Sequence, residues 1–175
     1  MRCPQPGETA PGSVRAGRMR VVLQRVLSGR VEVGGRVTGE IGAGAVALVG
    51  CEKGDTAEDV AWVAKKVVSA RMWESAEDVP VPWKRSLGSD PALGLLCVSQ
   101  FTLLGRLKGN KPDWSLSAPA DQARDLYSSL LLALAAALGP DRVHDGEFQA
   151  HMDVTLTNHG PVTLTLDSRR RDVGF

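Results

Sequence analysis

The chain has 175 residues, 43% of them hydrophobic, which is enough for one globular domain with a substantial buried core. Its 21 basic and 20 acidic residues leave a formal net charge of +1, which excludes both a generally basic polyanion-binding protein and a strongly acidic disordered chain. Four Trp, one Tyr and three Phe are too few for a surface built from rows of stacking aromatic rings. Any nucleic-acid partner is therefore expected to be held by a local patch.

The cysteines and the apolar runs indicate where the protein works. Cys3, Cys51 and Cys97 cannot form a closed set of disulfides, and the last two lie in apolar runs, which favours a reducing compartment and a cytoplasmic location. The longest apolar stretch, residues 130–138, is about half of the roughly 20 residues that a membrane-spanning helix needs. No membrane association is expected.

The two ends of the chain differ in composition from its middle. Residues 1–18 contain three Pro, three Gly and three Arg with almost nothing apolar, which predicts a disordered N-terminal tail; a targeting peptide is the less favoured alternative. Residues 19–168 are predicted to form the folded domain. Residues 169–175 begin with the basic run Arg169-Arg170-Arg171 and are predicted to be a C-terminal tail, more usually solvated than in contact with RNA.

The first half of the domain is predicted to be a β-meander followed by a helix. Gly34-Gly35 marks a two-residue hairpin turn, and Asp55 with Glu58 predicts a capping box for a helix that continues to about Met72. The apolar positions at helical spacing are Val60, Val63, Ala64 and Val67. The strands are expected over residues 19–27, 31–33, 36–41 and 45–51.

The second half alternates long connections with apolar elements. A surface connection over residues 74–91 precedes a strand over 93–104, whose polar end indicates a site, and a basic, glycine-containing loop follows over 105–113. A helix is predicted from Pro119 to Leu138. The side chains expected on its buried face are Leu126, Leu130, Leu134, Ala137 and Leu138. Two strands, over 149–157 and 161–166, are joined by residues 158–160.

Common catalytic signatures are not found along the chain. His144, His151 and His159 do not have metal-ligand spacing, and neither Cys51 nor Cys97 has a CxxC partner, so no metal is expected. No GxSxG elbow, phosphate-binding P-loop or Rossmann fingerprint occurs, and no cofactor is expected. Two polar stretches remain, Ser99 to Leu103 at a strand end and Asn158 to Thr163 before the last strand. Each, taken alone, is more typical of an ordinary strand edge or turn.

Taken together and in order, five motifs are more specific. They are QRV at 24–26, SQFTL at 99–103, LKGNKPD at 107–113, FxAxMxV at 148–154 and NHGPVT at 158–163. With them the chain resembles the D-aminoacyl-tRNA deacylase family from Met19 to about Ser168. The resemblance implies an α+β (α/β) fold of compact, β-rich, barrel-like sheets with two main flanking helices. It also implies hydrolysis of the ester between a D-amino acid and tRNA, with no cofactor.

The resemblance further implies a homodimer whose active site lies at the subunit interface. A cis peptide bond in Gly160-Pro161 of one subunit would enter the active site of the other and exclude side chains of L configuration. Glycine, which has no side chain, would escape this exclusion, so glycyl-tRNA mischarged on alanine tRNA is an expected second substrate. Arg25 would brace the Gly-Pro turn, while Ala150 and Met152 would border the amino-acid pocket.

The catalytic positions implied by the resemblance are Ser99, Gln100, Phe101 and Thr102. Backbone N–H groups of Phe101 and Thr102 would stabilise the oxyanion, and Phe101 would face the terminal adenosine. Thr102 is either a nucleophile or a residue that lines the site while the ribose 2′-hydroxyl assists water; the second scheme is favoured because no base can be assigned to Thr102. Apart from the resemblance, Lys108 and Lys111 form a short basic cluster with Arg106; such a cluster is usually just solvated, but it is suited to contact phosphates near the acceptor end of tRNA.

One departure from the family and two rival functions remain open. Many members have glycine after the phenylalanine of FxAxMxV, whereas this chain has Gln149. Gln149 favours the alternative from outside the enzymes, a non-catalytic RNA-binding module. A sister branch that edits L-alanine on tRNA is the rival within enzymes, and Ser99 with Val162-Thr163 favours the D-specific branch over it.

Overall fold

A mixed β-sheet with two helices organises residues 18–170, the part of the chain described by this computed structural model. Residues 1–17 of the tail predicted over 1–18, and residues 171–175 of the tail predicted over 169–175, lie outside the described residues. The strands are β1 (Arg20–Val33), β2 (Arg36–Ile41), β3 (Gly44–Gly50), β4 (Gly94–Ser99), β5 (Arg106–Lys108), β6 (Lys111–Asp113), β7 (Val143–Asp145) and β8 (Asp153–Asp167). The helices are α1 (Ala57–Ser69) and α2 (Ala120–Leu138), with 3-10 turns at Phe101–Leu104 and Pro140–Arg142.

Strand β1 is the centre of the larger sheet. The order is β2-β1-β3-β4-β7, and β8 pairs with β1 along its other edge. The predicted hairpin turn at Gly34-Gly35 is present, with φ of 57° and 81°, a region in which glycine is favoured. The two predicted pieces of β1 form one strand, because β8 hydrogen-bonds across the Ser28-Gly29 segment that separates them.

The sheet buries side chains on both of its faces, as alternation along β3 and β4 requires. Ala45, Ala47 and Cys97 point into a core shared with both helices, whereas Val46 and Leu96 point into a second cluster inside the curved sheet. β3, β4 and β7 are parallel, and the other pairs of this sheet are antiparallel. The predicted barrel-like sheet with two helices is confirmed.

Several predicted boundaries were wrong for local reasons. The capping box of α1 is formed by Thr56 and Asp59 instead of Asp55 and Glu58, because the Asp55 carboxylate accepts a hydrogen bond from the backbone of Glu52 at 2.7 Å. α1 ends at Ser69, before Met72. α2 begins at Ala120, one residue after Pro119. Its buried face is Tyr127, Leu130, Leu134 and Leu138, so Leu126 is only half buried and Ala137 is exposed.

Three further differences lie near the polar motifs. The strand predicted over 93–104 ends at Ser99 and continues as a 3-10 turn. The predicted basic loop is a short hairpin of β5 and β6. The two last predicted strands form one, β8, which begins at Asp153 rather than at residue 149.

Arg18 and Arg169, next to the predicted domain limits, form ion pairs with Asp167 and Glu52.

Candidate active site

A cavity of about 510 Å³ opens where β4 ends. Three segments enclose it: the end of β4 with the following 3-10 turn, the start of α2 with the residues before it, and the segment 148–152 that leads to β8. The lining residues are Val49, Cys51, Val98, Ser99, Gln100, Phe101, Ser117, Ala118, Ala120, Ala123, Tyr127, Phe148, Gln149, Ala150, His151, Met152 and Val154. Most of these side chains are apolar, with polar groups at the strand end and along segment 148–152.

Strand β4 ends beside the cavity, and Gln100, the residue after it, lines the cavity. Its N–H donates to the Val49 carbonyl at 2.6 Å, which completes the ladder between β3 and β4, and its φ and ψ of −143° and 78° end the strand. The first N–H groups of a 3-10 turn have no acceptor within the turn. Accordingly, the N–H groups of Phe101 and Thr102 have no backbone acceptor among residues 18–170.

The side chain of Thr102 has an amide as its neighbour. The Gln100 amide donates to the Thr102 hydroxyl, and this is the hydrogen bond found for that hydroxyl within the described region. An amide cannot remove a proton from a hydroxyl group at neutral pH. The surroundings of Thr102 are therefore those of a residue that lines a site.

Phe101 extends the cavity towards the hairpin of β5 and β6. Its ring is 56% exposed and meets Trp114 edge to face, with ring centroids 5.5 Å apart. The Ser117 hydroxyl donates to the Phe101 carbonyl at 3.2 Å, which ties the 3-10 turn to the segment before α2. Trp114 was not predicted from the sequence to lie here, because its contact with Phe101 depends on the fold of the hairpin.

The wall formed by segment 148–152 contains the departure at Gln149. Its φ is 67°, in the left-handed region where glycine is favoured over residues with a side chain. The side-chain amide oxygen of Gln149 accepts a hydrogen bond from Arg124 at 2.8 Å, and the Arg124 guanidinium lies 4.8 Å from the centroid of the Phe148 ring. Ala150 and Met152, which follow in the same segment, both line the cavity.

Two buried titratable residues, Tyr127 and Cys51, line the cavity, and Asp145 and Cys97 are close to them in the fold. The Tyr127 hydroxyl donates to Asp145, and burial raises the pKa of both groups. Burial, with a smaller contribution from Asp55, raises the pKa of the Cys51 thiol to about 12, so this cavity-lining cysteine is a neutral thiol at physiological pH. Burial likewise raises the pKa of Cys97. Neither cysteine is therefore activated as a nucleophile.

Gly160-Pro161 lies on a protrusion of β8 and does not line the cavity of its own chain. Gln24 pairs with Thr163 and Val26 with Asn158, so two steps along β1 correspond to five along β8 and the intervening residues loop out. The Gly160-Pro161 bond is cis, and both residues are exposed.

Two side chains hold this protrusion. Arg25, which faces it from β1, donates from Nε to the His159 carbonyl at 2.9 Å and from Nη1 to the Met72 carbonyl at 2.6 Å. Asn158 spans the turn, because its amide nitrogen donates to the Thr163 hydroxyl at 2.9 Å and its oxygen accepts from the Val162 N–H at 3.1 Å. The turn is thus fixed at both ends while its tip stays exposed.

The basic hairpin is partly neutralised. Asp113 lies 3.0 Å from Arg106 and 3.3 Å from Lys108, and hydrogen bonds from Ser115 and these two cations lower its pKa to about 2. Lys111 forms no ion pair among the described residues. Neither lysine lines the cavity.

The structure thus brings Ser99, Gln100, Phe101, Ala150 and Met152 together around one cavity. Thr102 is adjacent, whereas the remaining predicted site residues lie elsewhere on the chain: Arg25, Lys108, Lys111, Gly160 and Pro161. His151, Tyr127, Ser117 and Cys51 also line the cavity and were not predicted to do so; only His151 had a signal, its place inside the FxAxMxV motif. Over residues 18–170, no group of three or more His, Cys, Asp and Glu could hold a metal ion, and no helix could span a membrane.

The fold is shared with solved structures. A solved structure titled "Structural Analysis of a probable eukaryotic D-amino acid tRNA deacylase" shares the fold, with a TM-score of 0.76 at 19% identity over 86% of this chain and 99% of the other. A second, titled "c-Myc DNA Unwinding Element Binding Protein", has a TM-score of 0.78 at 38% identity, covering 84% and 97% of the two chains.

Sequence comparisons identify the family. The profile of the D-Tyr-tRNA(Tyr) deacylase family matches residues 22–167. A D-aminoacyl-tRNA deacylase of Yarrowia lipolytica is 44% identical over 86% of this chain and 98% of its own, and one of Drosophila melanogaster is 41% identical over 86% and 92%. The chain belongs to the D-Tyr-tRNA(Tyr) deacylase family, as its motifs indicated. It is thereby a hydrolase of aminoacyl-tRNA ester bonds.

Proposed function

We propose that this protein removes D-amino acids from tRNA by hydrolysing the ester bond to the terminal adenosine. The observation that carries the proposal is the turn after β4, where the N–H groups of Phe101 and Thr102 have no backbone acceptor beside a cavity of about 510 Å³. Two such donors can stabilise the oxyanion that forms when water attacks an ester carbonyl. The names of the relatives supply the substrate class.

The nucleophile in this scheme is water assisted by the ribose 2′-hydroxyl of the tRNA. Thr102 has an amide neighbour rather than a base, and the Cys51 thiol is neutral because burial raises its pKa to about 12. His151 lines the cavity but has no hydrogen bond to an orienting group among the described residues. Ser99, Gln100 and Thr102 then position the ester rather than attack it.

The working unit of the proposal is a homodimer with shared active sites. Gly160 and Pro161 are exposed on a protrusion and do not line their own cavity, so they are free to enter that of a second copy. β8 pairs only with β1 among the described strands, and its other edge is open. An open strand of 15 residues with exposed Val154 and Leu164 is a surface that proteins normally cover.

Selection by configuration follows from this arrangement. The rigid turn at Gly160-Pro161 presents backbone carbonyl groups to the substrate ammonium group and leaves no space for a side chain of L configuration. Because glycine has no side chain, glycyl-tRNA mischarged on alanine tRNA is also a proposed substrate. The unpaired, buried Cys51 and Cys97 support the proposed cytoplasmic location, and residues 19–168 are the proposed catalytic domain.

Parallel deacylation assays with D-tyrosyl-tRNA, L-tyrosyl-tRNA and glycyl-tRNA test the proposal. We expect hydrolysis of the D ester and the glycyl ester and none of the L ester. Hydrolysis of the L ester would place the chain with the L-alanine editing branch, and hydrolysis of none would make it an RNA-binding module. Thr102→Ala, assayed on the D ester, should keep appreciable activity; a rate equal to that without enzyme would support a threonine nucleophile instead.

A further inference from the structure

Arg124 stands beside the cavity with an uncompensated charge. It lies in the second turn of α2 and is exposed, and it forms no ion pair among residues 18–170. Asp121 and Asp125 are on the same helix but do not pair with it. Its neighbours are instead the neutral Gln149 amide at 2.8 Å and the Phe148 ring at 4.8 Å.

These two neighbours hold the guanidinium in one orientation. The Gln149 oxygen occupies one N–H group of a side chain that has five, so the others remain available to an anion. The Phe148 ring lies against the guanidinium carbon and limits the rotation of a flexible side chain. Less conformational entropy is then lost when an anion binds. Both Phe148 and Gln149 line the cavity, so the held charge is at its rim.

The basic hairpin differs from Arg124, because two of its three cations are already paired with a carboxylate. Arg106 and Lys108 share Asp113, at 3.0 and 3.3 Å, and part of their charge is cancelled before any ligand arrives. Arg124 therefore keeps more of its charge than Arg106 and Lys108 do. Lys111 also forms no ion pair among the described residues, but it does not line the cavity, whereas Arg124 is held at the cavity rim by Phe148 and Gln149. An arginine with a fixed orientation and free N–H groups is suited to bind two oxygens of a phosphate.

We propose that Arg124 binds a backbone phosphate at the 3′ end of the tRNA, with Gln149 as its positioning residue. The inference rests on the proposed function, because an ester seated in the cavity brings the last phosphates of the strand to the rim. It also assigns a role to Gln149, whose backbone is in the left-handed region and whose side-chain amide orients the phosphate-binding arginine.

The test compares two substrates that differ in phosphates. With D-tyrosyl-tRNA, Arg124→Gln should lower kcat/KM by roughly 5- to 10-fold, mainly through KM. With D-tyrosyl-adenosine, an ester without phosphate, its kcat/KM should stay within about twofold of the unaltered chain. For tRNA without an attached amino acid, the slope of the logarithm of the association constant against the logarithm of the salt concentration should become shallower by about 0.7, the value for one phosphate on a single strand. Equal losses on both substrates, or no change on either, would overturn the proposal.

Two more variants define the contact. Lys65→Gln removes the same charge from an exposed position on α1 and should leave both kcat/KM and the salt slope unchanged. Gln149→Gly should raise KM for D-tyrosyl-tRNA less than Arg124→Gln does. The double variant should have the same KM as Arg124→Gln alone, because Gln149 acts through Arg124. Additive increases in KM would show that Gln149 does not position Arg124. The tRNA-binding slope needs no turnover. An inactive chain would therefore contradict the proposed function while still testing Arg124.

Discussion

Asp55 illustrates at the scale of one residue how burial governs chemistry outside the site. One of its carboxylate oxygens is buried without a hydrogen-bond partner. Burial, followed by the charges of Asp59 and Glu52, raises its pKa from 3.8 to about 7. The folded protein thus binds this proton more tightly than the unfolded chain, so ionisation of Asp55 costs stability as the pH rises from about 4 to 7.

We expect Asp55→Asn to remove this cost. An amide oxygen can still accept the hydrogen bond from the backbone of Glu52, but it carries no charge. The variant should be more stable than the unaltered protein at pH 8, by on the order of 2 kcal/mol after allowance for solvent screening, and the difference should vanish near pH 4. Urea unfolding at several pH values measures it. A difference that does not depend on pH would contradict the assignment.

At the scale of elements, the hairpin of β5 and β6 shows how local charge pairing changes a sequence prediction. Lys108 and Lys111 were both expected to contact phosphates, yet Lys108 lies 3.3 Å from Asp113. Trp114 connects the end of this hairpin to Phe101 at the cavity, with ring centroids 5.5 Å apart. The hairpin is therefore close enough to the site for its cations to meet the acceptor end of a tRNA.

Neutralising both lysines tests this role of the hairpin. Lys108→Gln with Lys111→Gln should weaken tRNA binding and make its salt dependence shallower by about 0.7 to 0.9, the effect of one phosphate contact, because Lys108 is already partly paired. Binding measured from low to moderate salt gives the slope. An unchanged slope would show that the hairpin does not contact the tRNA. A change twice as large as expected would show that Asp113 does not compete with a phosphate for Lys108.

At the scale of the whole molecule, the predicted site residues are divided between two places. Gln100 borders the cavity, whereas Pro161 is exposed on the protrusion of β8. If each active site uses the cavity of one subunit and the turn of the other, two defective chains can complement each other in a mixed dimer. A site contained within one chain allows no such rescue.

Co-expression of Gln100→Ala with Pro161→Ala measures this directly. Each variant alone should be inactive on D-tyrosyl-tRNA or discriminate poorly against L-tyrosyl-tRNA. The mixture should recover about a quarter of the normal sites, because half of randomly formed dimers are mixed and each mixed dimer has one intact site. Separately purified variants mixed just before the assay serve as the control. No recovery after co-expression would contradict a shared site.

The sequence alone was sufficient for features that depend on neighbours along the chain. The Gly34-Gly35 turn, the apolar face of α1 and the polar end of β4 were predicted, because turn geometry, helical periodicity and alternation are local properties. The five motifs identified the family, because the motifs and their order can be read from the sequence without knowledge of the fold. Local patterns therefore predicted the candidate site as a set of residues, and an arrangement of them was implied only by the resemblance to the family.

Only the tertiary structure decided which of those residues meet. Asp113 partly neutralises Lys108, Gln149 holds Arg124, and Arg25 joins the turn that contains Pro161 to the Met72 carbonyl. Gln149 and Arg124 are 25 positions apart, and Arg25 and His159 are 134 apart. Contacts between such distant positions depend on how the sheet curves and how α2 packs on it. Local pattern therefore specified the elements and the family, and packing specified the site.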